Sequence, residues 1–184
     1  MEGLGPGRRR TRRDASDGRV RCHFQCFPPP FNILSGFAIA EIDPLVSAIG
    51  VKLYTMHWPM IERAYVERLV ELAGGDPDLY LQFVRTLLGT DSGDDETFLN
   101  VSYPRPSEPH PASDAIIENK IQAVATEITH SRMWGITHAY GPVADVASRF
   151  CAVHRASGGY VHINRYGYLS EAKIAAIEGL MQNA

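Results

Sequence analysis

Residues 136–164 read ITHAYGPVADVASRFCAVHRASGGYVHIN, and the way this stretch folds decides the architecture of the chain. Apolar, β-branched and aromatic residues gather in three runs, Ile136 to Val143, Val146 to Arg155 and Tyr160 to Asn164. Turn formers separate them: Gly141-Pro142 with Asp145, then Ser157-Gly158-Gly159. Short runs punctuated in this way predict three strands. Links of so few residues can join only antiparallel neighbours, because a parallel pair needs a crossover of roughly a dozen residues.

Upstream, Val46 to His57 alternates, with Ile49, Val51, Leu53 and Thr55 on one face and Lys52, Tyr54 and Met56 on the other, which predicts a further strand. Pro59 suits the first turn of a helix running to Ala73 and ended by Gly74-Gly75. Asp76-Pro77 supplies an N-cap and first helical residue for the next helix, whose stripe is Leu79, Tyr80, Phe83, Val84, Leu87 and Leu88. Phe98 to Tyr103 is a short strand candidate, and Pro104 to Pro111 is a long connection of the kind that covers a pocket. A third helix is expected from Asp114 to Trp134, and Ser170 caps a last one. The expected fold is α+β: a roughly five-stranded, mainly antiparallel sheet with helices on both faces.

Composition places this fold in one domain from Phe31 to Ala184. Apolar residues make up 45% and charged residues 21% of 184, a globular balance. Residues 1–30, rich in Gly, Arg and Ser and closed by Pro28-Pro29-Pro30, are expected to be a disordered arm. Residues 1–21 hold seven arginines against three acidic residues, so the remainder of a chain of net charge −3 is strongly acidic. An acidic body is a poor surface for phosphates, which argues against nucleic-acid binding through the domain. No run approaches the roughly 18 apolar residues of a membrane span, and no apolar segment follows the basic start as a secretory signal requires. A cytoplasmic protein is expected. Cys22 and Cys26 lack the second pair that a zinc finger needs, and no cofactor motif is present.

Two constellations carry chemistry. His138, His154 and His162 fall on the three successive predicted strands and could serve a metal-assisted enzyme. His57 and Trp58 stand at a strand-to-helix junction where a pocket wall is often built. Tyr54, Trp58, Tyr65, Tyr80 and Tyr103 cluster around the first strand and the helices after it, a set suited to a small-molecule pocket. A ligand-free dimerisation module would instead expose a large apolar helix face.

The run Val51-Lys52-Leu53-Tyr54, with His57-Trp58-Pro59, then Tyr65 and Asp76-Pro77, resembles the first strand and pocket helices of LuxR-type autoinducer-binding domains. Trp134 to Val143, through Phe150, resembles that family's helix end, glycine turn and apolar strand. The order Trp58-Pro59 reverses the family's usual order. The resemblance, spread over about residues 45–182, implies a GAF/PAS-like sandwich and a sensor role in quorum-sensing transcription regulation. It implies an N-acyl-homoserine lactone or similar amphipathic ligand, with Trp58 and Tyr65 on the head group, Asp76 accepting from its amide, and Tyr54 and Tyr80 along the acyl chain. Such sensors form homodimers. The DNA-binding helix-turn-helix that usually follows is not expected within a chain ending at Ala184.

Overall fold

The structure, a computed structural model, describes residues 21–91, 93 and 96–182; the expected disorder of residues 1–20 falls outside them. Four strands form one sheet in the order β1 (His23–Cys26), β2 (Ala48–Lys52), β3 (Arg132–His138) and β4 (Val161–Asn164). All three pairings are parallel: Phe24 lies beside Ile49, Ile49 beside Met133, and Gly135 beside Val161. This overturns the five-stranded, mainly antiparallel sheet of the sequence reading. The sheet also begins ahead of Phe31, since β1 lies within the stretch assigned to the arm.

The reversal has one main cause. Residues Val143–Ala156 are a helix, α6, where a strand was expected. Pro142 precedes its first turn, Asp145 lies in that turn and Arg155 in the last, so each of these charges complements the helix dipole. Val146, Ala147, Cys151 and Val153 form its buried side at helical spacing. With a helix between them, β3 and β4 are joined by a crossover long enough for parallel pairing.

The other crossovers are helical too. Between β1 and β2 lie two one-turn helices, α1 (Phe31–Leu34) and α2 (Ile39–Ile42). Between β2 and β3 lie α3 (Trp58–Ala73), α4 (Pro77–Leu88) and α5 (Asp114–Ala125). The helix expected to reach Trp134 stops at Ala125, and Trp134 belongs to β3. The strand expected at Phe98 to Tyr103 is instead a 3-10 turn, Phe98–Asn100. A last helix, α7 (Glu171–Gln182), packs on α6.

Helices on both faces were expected, but the core is one-sided. Every strand residue in its central cluster (Phe24, Cys26, Ile49, Val51, Met133, Val161) belongs to one alternation set of the sheet. Leu81, Leu88, Ile117, Ile121 and Val153 cover that set from α4, α5 and α6. Gly135 lets α6 come close, since a Cβ there would stand 2.1 Å from Val153 Cγ1. On the opposite face Trp134 lies over Gly50, where a Cβ would stand 2.6 Å from its ring. Around it that face carries the buried Ala48 and Ile136 together with His23, Gln25, Lys52, Arg132 and His162. Successive parallel strands with right-handed crossovers put all their connections on one side, which accounts for the asymmetry. Among the described residues no helix is long and apolar enough to cross a membrane.

Candidate functional site

In open parallel sheets, ligands bind outside the carboxyl ends of the strands, where the chain leaves each strand and turns into its crossover. Here those ends are rich in ring side chains. β2 leads into Tyr54 and a 3-10 turn, Thr55–His57; β3 ends at His138 and runs on to Tyr140; β4 ends at Asn164 and leads through Arg165 to Tyr166–Tyr168. Together with Tyr103 they enclose a cavity of about 130 Å³.

Six of the rings close a circuit around it. Tyr54 is 6.0 Å from His57, His57 5.7 Å from Tyr103, and Tyr103 5.7 Å from Tyr140. Tyr140 is 5.5 Å from Tyr168, Tyr168 6.2 Å from His138, and His138 5.7 Å from Tyr54. Most of the contacts are edge-to-face, the arrangement that the quadrupoles of aromatic rings favour. No carboxylate lines the cavity.

The frame around the ring is polar and buried. Arg149 on α6, 1% exposed, donates to the carbonyls of His138 (3.1 Å) and Tyr140 (2.6 Å), and Asp145 accepts from its Nε at 2.9 Å. Lys173 of α7 donates to the carbonyls of Ala139 and Tyr168, both at 2.8 Å. Tyr140 donates its hydroxyl to the Pro104 carbonyl at 2.9 Å, which ties the proline-rich connection to the site. Asn164 Nδ2 donates to the Tyr54 hydroxyl. Behind the ring, His110 shares a 2.7 Å hydrogen bond with Thr55 through Nδ1, while its buried Nε2 has no partner.

Charge follows from burial. His138 is pushed down to about 4 by burial, helped by Arg165, Arg149, His57 and Lys173, so its imidazole is neutral at pH 7. The Tyr140 N–H donates to His138 Nδ1 at 3.0 Å, which leaves the ring proton on Nε2 and makes that atom a donor. His57, exposed at the mouth, is lowered by burial of part of its ring and by Arg165. Burial lowers His110 to about 3. Arg165 is the exception to neutrality. Its φ of 55° and ψ of 61° make it the one non-glycine in the left-handed region among the described residues. No carboxylate among those residues pairs with its guanidinium.

Of the five ligand-binding residues expected from sequence, Tyr54 alone lines this cavity. Trp58 is buried, stacked 5.6 Å from Phe31 in the core. Tyr65 is 40% exposed on α3, and Tyr80 is half-buried at the edge of the core. Asp76 is an exposed N-cap that accepts from Asp78 N–H at 3.0 Å. The three histidines proposed for a metal do not converge either: His138 and His162 share one alternation set of the sheet, but His138 lines the ring cavity and His162 the groove at the amino ends of the strands, while His154 stacks on Phe150 of α6. Among the described residues no group of three or more His, Cys, Asp or Glu is placed to hold a metal ion. Tyr103, part of the aromatic set read from the sequence, does join the ring, whereas Tyr140 and Tyr168, with Asn164 and Arg165, went unnoticed. Their signal is position after a strand, which points to a site only once the strands are known to be parallel.

Comparison with family models, with characterised proteins and with solved structures found no match to this chain.

Proposed function

We propose that this chain binds a small anionic molecule within the tyrosine–histidine ring and supplies it with proton-transfer chemistry. The observation that carries this reading is Arg165, a guanidinium without a carboxylate partner among the described residues, in a left-handed conformation beside a cavity free of carboxylates. In that setting an anion gains a positive partner without displacing a resident one. His138 offers an Nε2–H donor that stays neutral, suited to polarising a carbonyl or phosphoryl oxygen. His57 is a neutral imidazole with both nitrogens available, suited to accept a proton.

Size limits the ligand. At roughly 30 Å³ per water molecule, a 130 Å³ cavity holds the equivalent of about four waters. A phosphate or short carboxylate fits, whereas an N-acyl-homoserine lactone with its acyl chain exceeds the volume of this cavity. Thermal-shift titration with inorganic phosphate, acetate and such a lactone tests the proposal, since any ligand of the native state raises the melting temperature. The expected outcome is stabilisation by phosphate or acetate that Arg165→Gln abolishes, with no response to the lactone. Stabilisation by the lactone alone, or an anion response untouched by Arg165→Gln, would sink it.

A homodimer is a second proposal, favoured by Leu79, Phe83 and Leu87, which form an exposed row along α4. Light scattering before and after Phe83→Glu reads it out.

A further inference from the structure

The sheet face away from the helices holds a concavity of about 750 Å³ near the amino ends of the strands. Arg21, Arg132, His23, His162, Trp134 and Tyr160 give it its character, and no carboxylate lines it. Arg21 and Arg132 have no carboxylate partner among the described residues. Trp134 lies over Gly50 with its ring centroid 5.5 Å from that of His23, so the missing side chain on β2 seats an indole among polar and basic groups. A chain that is acidic as a whole therefore gathers unpaired cations and stacking surfaces in one groove.

We propose that this groove binds single-stranded nucleic acid, with a base on Trp134 and the phosphates along Arg21 and Arg132. Charge selects among the occupants. A second copy would bring its own two arginines against this pair, and residues 1–20 carry six further arginines, so neither complements the groove. A polyanion does, and the described chain begins on the groove's rim at Arg21, where that arginine-rich stretch joins. Stacking on an indole requires an unpaired base, because a duplex hides its base faces. The groove is separate from the tyrosine–histidine ring, so this proposal and the anion site can fail independently.

Tryptophan fluorescence provides the test in the full chain. The chain has two tryptophans, and Trp58 is 1% exposed in the core, so quenching by a ligand in the groove reports on Trp134. Titration with a short uridine homo-oligonucleotide at low salt is expected to quench the emission saturably, with affinity falling steeply as salt rises. Arg132→Glu should weaken binding by about tenfold, as expected for the loss and reversal of a phosphate contact. Trp134→Phe should remove the quenching signal while circular dichroism stays unchanged. Absence of quenching at low salt would overturn the proposal. So would binding unaffected by Arg132→Glu, which is an exposed substitution and does not threaten the fold. Equal affinity for uridine monophosphate would replace the polymer with a free nucleotide, and a dimer that buries Trp134 would replace it with a second copy.

Discussion

Asp43 is a charged residue with 1% of its surface exposed. Burial alone would raise its pKa, yet its carboxylate accepts from the Ser131 hydroxyl and from the backbone N–H groups of Thr129, Ser131 and His130, each N–H within 2.8 Å. These donors outweigh the burial and hold its pKa far below the usual carboxylate range. The carboxylate thereby fixes the turn that launches β3. A carboxylate depressed in this way stabilises the fold above its unfolded pKa of about 3.9, and the contribution is lost as pH falls below that value. Asp43→Asn turns one acceptor into a donor facing donors, and should cost about 3 kcal/mol at pH 7. Urea denaturation at pH 7 and pH 3 checks this: the variant should be less stable at pH 7, and the gap should narrow at pH 3. A gap independent of pH would mean that the charge of Asp43 contributes nothing. In the sequence Asp43-Pro44 is legible only as a break, because these four donors lie 86 to 88 residues away.

Helix α6 shows how an element can be misread from correct observations. Val146, Val153 and the flanking turn signals are real, and β-branched residues do favour strands. The stretch is also fourteen residues long, rich in alanine, and buried at positions three and four apart, which a strand cannot satisfy. Helices α3 and α4 were legible because their apolar stripes and glycine stops agree. β2 was legible as far as Lys52, beyond which the apparent alternation continues into a 3-10 turn. What seats α6 on the sheet is Gly135, whose missing side chain makes room for Val153. Gly135→Ala should therefore destabilise the protein by about 2 kcal/mol, the usual cost of overpacking. The double variant Gly135→Ala with Val153→Ala should recover part of that loss, although Val153→Ala alone is destabilising. Denaturant midpoints of the four proteins give the coupling directly. Simple additivity would show that this contact does not set the approach of α6 to β3.

At the scale of the whole molecule, topology decides where function can lie. One missed helix turns a parallel sheet into an antiparallel one, and with it hides the end of the sheet that collects His138, Asn164 and Arg165. Assembly of that parallel sheet needs distant segments held together, and Lys120 of α5 does much of this. Its ammonium donates to the carbonyls of Pro29 (2.9 Å) and Leu88, and lies 5.4 Å over the Phe31 ring, joining the chain after β1 to the end of α4. No carboxylate among the described residues pairs with it, and burial lowers its pKa to about 8. A lysine with a lowered pKa sheds its proton earlier in the folded protein than in the unfolded chain. Its effect on stability therefore rises with pH, starting near 8 and levelling off near the unfolded value of about 10.4. The neutral amine still has two hydrogens for the two carbonyls, so the strap survives deprotonation. Cys26, raised to about 11 by burial, and then by the nearby Glu127, acts in the opposite sense over part of this range. The comparison must therefore be made against Lys120→Met, in which the Cys26 thiol is retained. The stability difference between wild type and Lys120→Met is expected to grow by up to about 3 kcal/mol between pH 7 and pH 10.5. Denaturation curves for both proteins across that range measure it. A difference that stayed constant would mean that Lys120 binds its proton equally well in the folded and unfolded chains, and that its burial carries no electrostatic cost.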